Sequence, residues 1–334
     1  MESAQKKTIG VGFDDNYLYP FLLLAYSISQ NSQSLPKICI ANVNGTLSKD
    51  SCRLIEKFAS YLNLEIKVFE ASVPDNVRTS SRVSIAAYGR LWLADNLSEN
   101  FVYIDTDSLV LPGWEEIFDY ADLLDQNREL LLGAMPALEN RTPPWPIAIG
   151  DTTQYRFHSG ILIINHKNWT EHFSKKENLP WQKIASMHEE LQFVGHDQPV
   201  LQYAAQGKYL HLPPDLVNLA TKYTQTTKVL TSGVWKKPWT VPRDQFFEYI
   251  NSMMMYQDYK QVFGVIKELD IYSKFEDEML DFLEGQPDLK IQVIGVKKAV
   301  QTNFSFRENL PFTLSKGLSD LMTNVGKLLN KLKY

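Results

Sequence analysis

The strongest constraint on this chain's fold is the alternation in its first hundred residues between short apolar runs and longer stretches of helical spacing. Residues 7–13 (KTIGVGF) read as a buried strand, and residues 18–30 are apolar enough to be a buried helix. Residues 37–41 (KICIA) form a second strand. Residues 48–62 carry Cys52, Leu54, Ile55, Phe58 and Leu62 at helical intervals, with Ser48 placed as the N-cap. Residues 64–69 (LEIKVF) are a third strand, and residues 84–97 a helix that feeds a strand at 101–104. Strand–helix–strand order of this kind predicts an α/β fold, a mostly parallel central sheet with helices on both faces. Further strands are expected at 130–135, 157–165 and 208–212.

The segment FVYIDTDSLVL (101–111) then poses a chemical question. An apolar strand runs straight into Asp105-Thr106-Asp107. In extended backbone, positions i and i+2 share a face. Two carboxylates roughly 6 Å apart there repel by about 3 kcal/mol at an effective dielectric near 20. Ligands bind at the carboxyl ends of strands in doubly wound folds. A divalent cation at that edge relieves the repulsion, because hard cations prefer oxygen ligands and keep open positions for phosphates. A solvated turn is the simpler reading of an isolated Asp-x-Asp.

Composition narrows the partners. The chain has 334 residues, room for one large or two moderate domains, with 44% hydrophobic and 22% charged residues. A net charge of −5 argues against broad nucleic-acid binding. Two cysteines, Cys39 and Cys52, give no disulfide framework. The first residues lack the apolar core of a signal peptide, and no apolar run approaches the ~20 residues that span a bilayer. The expected location is cytoplasmic.

Six segments carry a resemblance when taken in order: FDDNY (13–17), YGRLWLADNL (88–97), FVYIDTDSLVL (101–111), FHSGILIINHKNW (157–169), HDQPVLQYAAQGKYLHLP (196–213) and SGVWKKPW (232–239). Over roughly residues 8–240 the chain resembles glycosyltransferase family 8, the retaining hexosyltransferases that include glycogenin and bacterial lipopolysaccharide glucosyl- and galactosyltransferases. The resemblance implies a nucleotide-sugar-binding fold of the GT-A type, a UDP-hexose donor, a glycan or glycolipid acceptor, and Mn2+ or Mg2+. It implies that Asp105 and Asp107 hold the metal, with Thr106 between them at the donor. Asp14 and Asn16 would contact the uridine, and Arg90 the donor phosphate or sugar. His158 and Gly233 would line the donor site, and Lys237 would neutralise the departing diphosphate. Asp197 and Gln198 would stand against the sugar as catalytic residues.

The chemistry asks for these residue types on its own terms. Breaking a glycosyl–phosphate bond builds negative charge on the leaving group, met by metal and lysine, and positive charge on the sugar, met by a carboxylate or amide oxygen. A covalent intermediate on Asp197 or Gln198 and same-face attack by the acceptor both fit the pattern.

The sequence also departs from the family. Leu230 stands where the family carries a metal-binding histidine, which leaves Thr231 or Ser232 as alternative ligands. His158 replaces a common asparagine, and Pro136-Ala137 replace an acidic residue. These departures motivate a rival reading: a nucleotide-sugar-binding protein with little or no turnover. A phosphohydrolase using Asp105 as nucleophile is a third reading, and it leaves five of the six segments without a role.

Simpler structural uses stand beside several of these roles. Asp14 and Asp15 suit helix capping, Arg90 a helix surface, and His158 a satisfied core position. Residues 1–243 are assigned to the GT-A domain and residues 244–334 to a mainly helical C-terminal region. The final stretch carries Leu318, Leu321, Met322, Val325, Leu328, Leu329 and Leu332 as one apolar stripe beside Lys327, Lys331 and Lys333. Such a helix either docks on an anionic membrane or packs on its own domain.

Overall fold

A computed structural model of the chain describes residues 7–80, 83–137, 156–193, 195–231, 237–241, 243–256 and 259–308. Gly233, Ser232 and the amphipathic stretch from Leu318 to the C-terminus lie outside the described residues.

The strands are β1 (Thr8–Gly12), β2 (Lys37–Val43), β3 (Glu65–Ala71), β4 (Phe101–Ile104), β5 (Ser108–Val110), β6 (Leu132–Pro136), β7 (Phe157–Ile164), β8 (Tyr209–His211), β9 (Val217–Leu219) and β10 (Val229–Thr231). The helices are α1 (Leu18–Asn31), α2 (Lys49–Tyr61), α3 (Gly89–Asn96), α4 (Asp119–Gln126), α5 (His166–Ser174), α6 (Trp181–Ser186), α7 (Asp197–Ala205), α8 (Phe246–Tyr256), α9 (Tyr259–Phe282) and α10 (Pro287–Glu308). Seven strands form the main sheet in the order β3-β2-β1-β4-β7-β6-β8. β1, β2, β3 and β4 pair in parallel, as do β6 and β8, whereas β7 runs antiparallel to both β4 and β6. A second sheet, β5-β10-β9, sits beside the first.

Each strand sends alternate residues to opposite faces. On β2, Ile38 and Ile40 enter one core while Cys39 and Ala41 enter the other. On β4, Val102 and Ile104 part in the same way from Phe101 and Tyr103. The first core is closed by α1, α2, α9 and α10. α1 is buried from Leu18 through Ile28, which its apolar run from Leu18 to Tyr26 requires, and the Ser27 hydroxyl within that stretch is satisfied by donating to the Leu24 carbonyl at 2.8 Å. The second core is closed by α3, α5, α6 and α7. Asp95 at the end of α3 accepts from the indole N–H of Trp169 and of Trp181, each at 2.7 Å, which fixes α5 and α6 against α3.

Capping follows the sequence closely. The Ser48 hydroxyl accepts from the N–H of Ser51 and starts α2. The expected helix over 84–97 begins instead as a 3-10 turn, Ile85–Tyr88, which passes into α3 at Gly89. A Cβ on Gly89 would lie 3.0 Å from the Ala41 Cβ and 3.3 Å from the Gly12 Cα, so only glycine lets the helix start this close to β1.

The C-terminal helices finish the first core. Tyr19 and Phe58 of α1 and α2 meet Phe275 of α9 edge-on, and Phe58 also meets Phe282. Edge-to-face pairs of this kind add about 0.5–1.5 kcal/mol each beyond their area.

Candidate active site

Five parts of the fold deliver side chains to one cleft: the ends of β1 and β4, the 3-10 turn leading into α3 with the first turn of α3, the start of the antiparallel β7, and the first turn of α7. The cleft has a volume of about 360 Å³. Its lining includes Asp14, Arg90, Asp105, Thr106, Asp107, Ser159, Asp197 and Gln198.

The two aspartates do not reach it from an extended strand. β4 stops at Ile104, and residues 105–107 turn, closed by the Ser108 N–H donating to the Asp105 carbonyl at 3.0 Å. The alternation argument for a shared face therefore fails, although the turn brings both carboxylates to the same cleft. The Asp105 N–H still donates to the Gly160 carbonyl of β7 at 2.7 Å, the next rung of the β4–β7 ladder, and past the turn β5 leaves to pair with β10.

Arg90 organises the site from below. It is buried, 5% exposed, and its guanidinium meets Asp105 Oδ1 at 2.9 Å and Asp197 Oδ2 at 3.0 Å. It also donates to the carbonyls of Ala87, at 3.0 Å, and Ser159, and its guanidinium lies over the Tyr103 ring at 4.5 Å. Burial opposes its charge, but Asp105 and Asp197 outweigh that and hold Arg90 firmly protonated. Asp105 is also pushed toward its protonated form, which for a carboxyl means loss of charge. Burial raises its pKa, Arg90 opposes the rise, and the neighbouring Asp107 and Asp197 charges add to it. Arg90 is therefore an internal brace between the aspartates and not a helix-surface charge.

Lys237 completes the charged set by donating to Asp107 Oδ2 at 2.7 Å. Three carboxylates, Asp105, Asp107 and Asp197, thus stand against two cations. Gln198 accepts through its Oε1 from both the N–H and the hydroxyl of Ser159, at 3.3 Å each. With that oxygen engaged, its amide N–H groups are the polar atoms left for a ligand.

A clasp holds the start of α7. Arg78 donates to the Phe193 carbonyl at 2.9 Å and contacts the His188 ring, and His188 Nε2 lies 3.0 Å from the Gly195 carbonyl. Next to Asp197, burial lowers the pKa of His196, with Arg78 and His188 adding to the fall and Asp197 opposing it.

The donor set suits a hard cation. Arg90 takes Oδ1 of Asp105, and Oδ2 faces the space beside Gly160. A Cβ on Gly160 would lie 3.1 Å from that oxygen and 3.7 Å from Thr231 Oγ1. Two carboxylates and a nearby hydroxyl, all oxygen donors, match Mg2+ or Mn2+ with remaining positions for water and phosphate oxygens. Among the described residues, no three His, Cys, Asp or Glu side chains group as a metal site. Leu230, at the family's histidine position, is fully buried and paired with Leu109.

The other expected residues fall less centrally. Asp14 lines the cleft and also caps the following 3-10 turn, accepting from the Asn16 N–H at 3.0 Å. Asn16 is exposed, and His158, paired in register with Met135, is absent from the cleft lining. Sequence reasoning did not single out Ser159 or Ser84, which line the cleft, nor the Tyr103 ring over which the Arg90 guanidinium lies. Ser159 was within reach, since it sits inside the quoted FHSG segment.

The family model described as "Glycosyl transferase family 8" matches residues 8–233. Glycosyltransferase GlyD of Streptococcus pneumoniae serotype 4 (strain ATCC BAA-334 / TIGR4) is 26% identical over 293 residues, covering 79% of this chain and 33% of GlyD. The chain thus spans about a third of that relative's length. The solved galactosyltransferase LgtC, in complex with donor and acceptor sugar analogues, matches with a TM-score of 0.52 at 18% identity, over 70% of this chain and 89% of its own. The bifunctional glycosyltransferase WbbM matches at 0.54 and 15% identity, over 82% of this chain and 52% of its own. The apo form of GlyE from Streptococcus pneumoniae TIGR4 matches at 0.51 and 15% identity, over 82% and 64%. At such identities these structures speak to fold.

Proposed function

Because the chain belongs to glycosyl transferase family 8 and has the GT-A fold, we propose that it moves a hexose from a UDP-sugar to a glycan or glycolipid acceptor, with retention and with Mn2+ or Mg2+ held by Asp105 and Asp107. The observation that carries this reading is the convergence of separate sequence segments, around Asp14, Arg90, Asp105–Asp107, Ser159 and Asp197–Gln198, on one cleft.

Each residue has a task in that reaction. Asp14, at the mouth of β1, accepts from the uracil N–H. Arg90 fixes Asp105 and Asp197 relative to each other, so the diphosphate end and the sugar end of the donor keep a set spacing. A bound divalent ion supplies charge to stabilise the leaving UDP. Lys237 adds a second cation on the same side. Asp197 stands beside the sugar, where its carboxylate stabilises positive charge as the bond to phosphate breaks. Gln198 orients sugar hydroxyls through its amide N–H groups.

A glycolipid acceptor is presented at a bilayer surface, and the apolar stripe from Leu318 onward with its lysines suits docking there. A cytoplasmic location, peripheral to the inner face of the membrane, belongs to the same reading. Among the described residues no helix is long and apolar enough to cross a membrane.

One observation favours the rival of binding without turnover: the buried Leu230 offers no third ligand. UDP release from a panel of UDP-hexoses, with and without Mn2+, separates the two. Transfer predicts Mn2+-dependent release that Asp105→Asn and Asp107→Asn each abolish while their melting curves stay cooperative. Tight nucleotide-sugar binding without release would favour the rival, and full activity in both variants would remove the metal assignment.

A further inference from the structure

Lys237 occupies one of the carboxylates that the metal requires. Its ammonium lies 2.7 Å from Asp107 Oδ2 in a largely enclosed pair, with 11% and 22% of the two side chains exposed. The backbone beneath it is fixed. Thr240 donates to the Lys237 carbonyl through its N–H at 2.9 Å and its hydroxyl at 2.7 Å, and Trp239 beside it is sunk in the first core. Any movement of the ammonium therefore comes from the four-carbon side-chain stem above an anchored base. Arg90 differs. It is held on four sides and covers only Oδ1 of Asp105, so Asp105 can accept an ion without displacing its own partner.

We propose that Lys237 makes metal binding conditional on the donor's diphosphate. With the cleft empty, its ammonium holds Asp107 in place of the divalent ion. An arriving diphosphate draws the ammonium onto its own oxygens and releases the carboxylate to the ion. No covalent bond changes. The proposal rests on the metal-assisted reading above and adds a coupling to it. An ion entering alone meets the lysine's charge beside the same carboxylate. With one excess negative charge among the five groups, a lone divalent ion would leave the cluster net positive, and a diphosphate reverses that. Ion and nucleotide must then strengthen each other, and by the same factor, because coupling between two ligands is reciprocal.

The test titrates Mn2+ into the full chain and follows the electron paramagnetic resonance of free Mn2+, without nucleotide and with saturating UDP. The wild type should bind Mn2+ at least about tenfold more tightly with UDP than alone. Lys237→Gln should bind Mn2+ alone at least about tenfold more tightly than the wild type, and UDP should add less to it. Lys237→Arg, which keeps the charge, should behave as the wild type. If Lys237→Gln binds lone Mn2+ no better than the wild type, the proposal is overturned and the metal reading stands. UDP affinity of the wild type with and without Mn2+, corrected by a protein-free Mn2+–UDP control, must show the same coupling factor, and the lysine's share of it is read from Lys237→Gln against Lys237→Arg. Mn2+ bound to the wild type with no coupling to UDP also overturns it. Absence of Mn2+ uptake even with UDP removes the metal-assisted reading, and the proposal with it.

Discussion

Replacing Arg90 with methionine tests the electrostatic account of the cleft directly. Methionine keeps an unbranched stem near the Tyr103 ring but removes the charge shared by Asp105, at 2.9 Å, and Asp197, at 3.0 Å. It also strips a donor from the carbonyls of Ala87 and Ser159. Removing one member of a buried ion pair costs about 3–5 kcal/mol, because the partner charge stays buried. Asp197, 8% exposed, is stranded in full, whereas Asp105, 31% exposed, keeps part of its contact with water, so the lower half of that range, about 3–4 kcal/mol, is expected at about pH 8. The pH dependence is more diagnostic than the size. In the native site Asp105 already titrates above its ordinary value of 3.8, through burial, with Arg90 pulling it down. Without Arg90 it rises further. The folded variant then keeps a proton that the unfolded chain has lost. Its stability must fall as pH rises between the ordinary carboxylate value and the raised one. The wild type shares this fall up to its own raised value of about 7, so the loss relative to it grows only above that point, and urea denaturation at constant m-value should show a smaller loss at about pH 5 than at about pH 8. A loss under about 1 kcal/mol at the higher pH, or an equal loss at both, would refute the argument.

Two glycines give further tests. Gly160→Ala places a Cβ 3.1 Å from Asp105 Oδ2; Mn2+ retention in the presence of UDP, and UDP release, should each fall at least about tenfold with little change in melting temperature, and unaltered Mn2+ retention would count against the cradle. Gly264→Ala drives a Cβ to 1.9 Å from the Ala220 carbonyl oxygen and 2.6 Å from the Tyr223 Cβ. Since the obstacle is backbone, α9 must shift, at a cost of about 1–3 kcal/mol or more in urea denaturation, and unchanged stability would mean the helix docks otherwise.

The alternating half of the fold was legible because its elements carry their own periodicity. The α1 run, the capped α2 and the strands at residues 37–43 and 101–104 all announce themselves locally. The antiparallel course of β7 was not legible, since an apolar strand buried on both faces reads the same in either direction. The three-residue strands β5, β9 and β10 are too short to show a period. In the site, Asp105, Asp107, Asp197 and Arg90 were all picked out, but what Arg90 touches was not. Its ties to Asp105 and Asp197, like the union of Lys237 with Asp107 across 130 positions, are products of chain folding that leave no local trace. Residues with backbone or capping duties, such as Asp14, resist any single label because one carboxylate serves two ends.

The short turn Pro238–Thr240, just after Lys237, rests against both α9 and α10. Those helices are therefore struts beneath Lys237, and the seam of rings that fastens α9 to α1 and α2 sets where its ammonium can stand. Shortening the protein from its far end would slacken the chemistry from behind, even with every cleft residue intact. A truncated form that fails to turn over would then point to a lost foundation and not to a lost binding site for the acceptor.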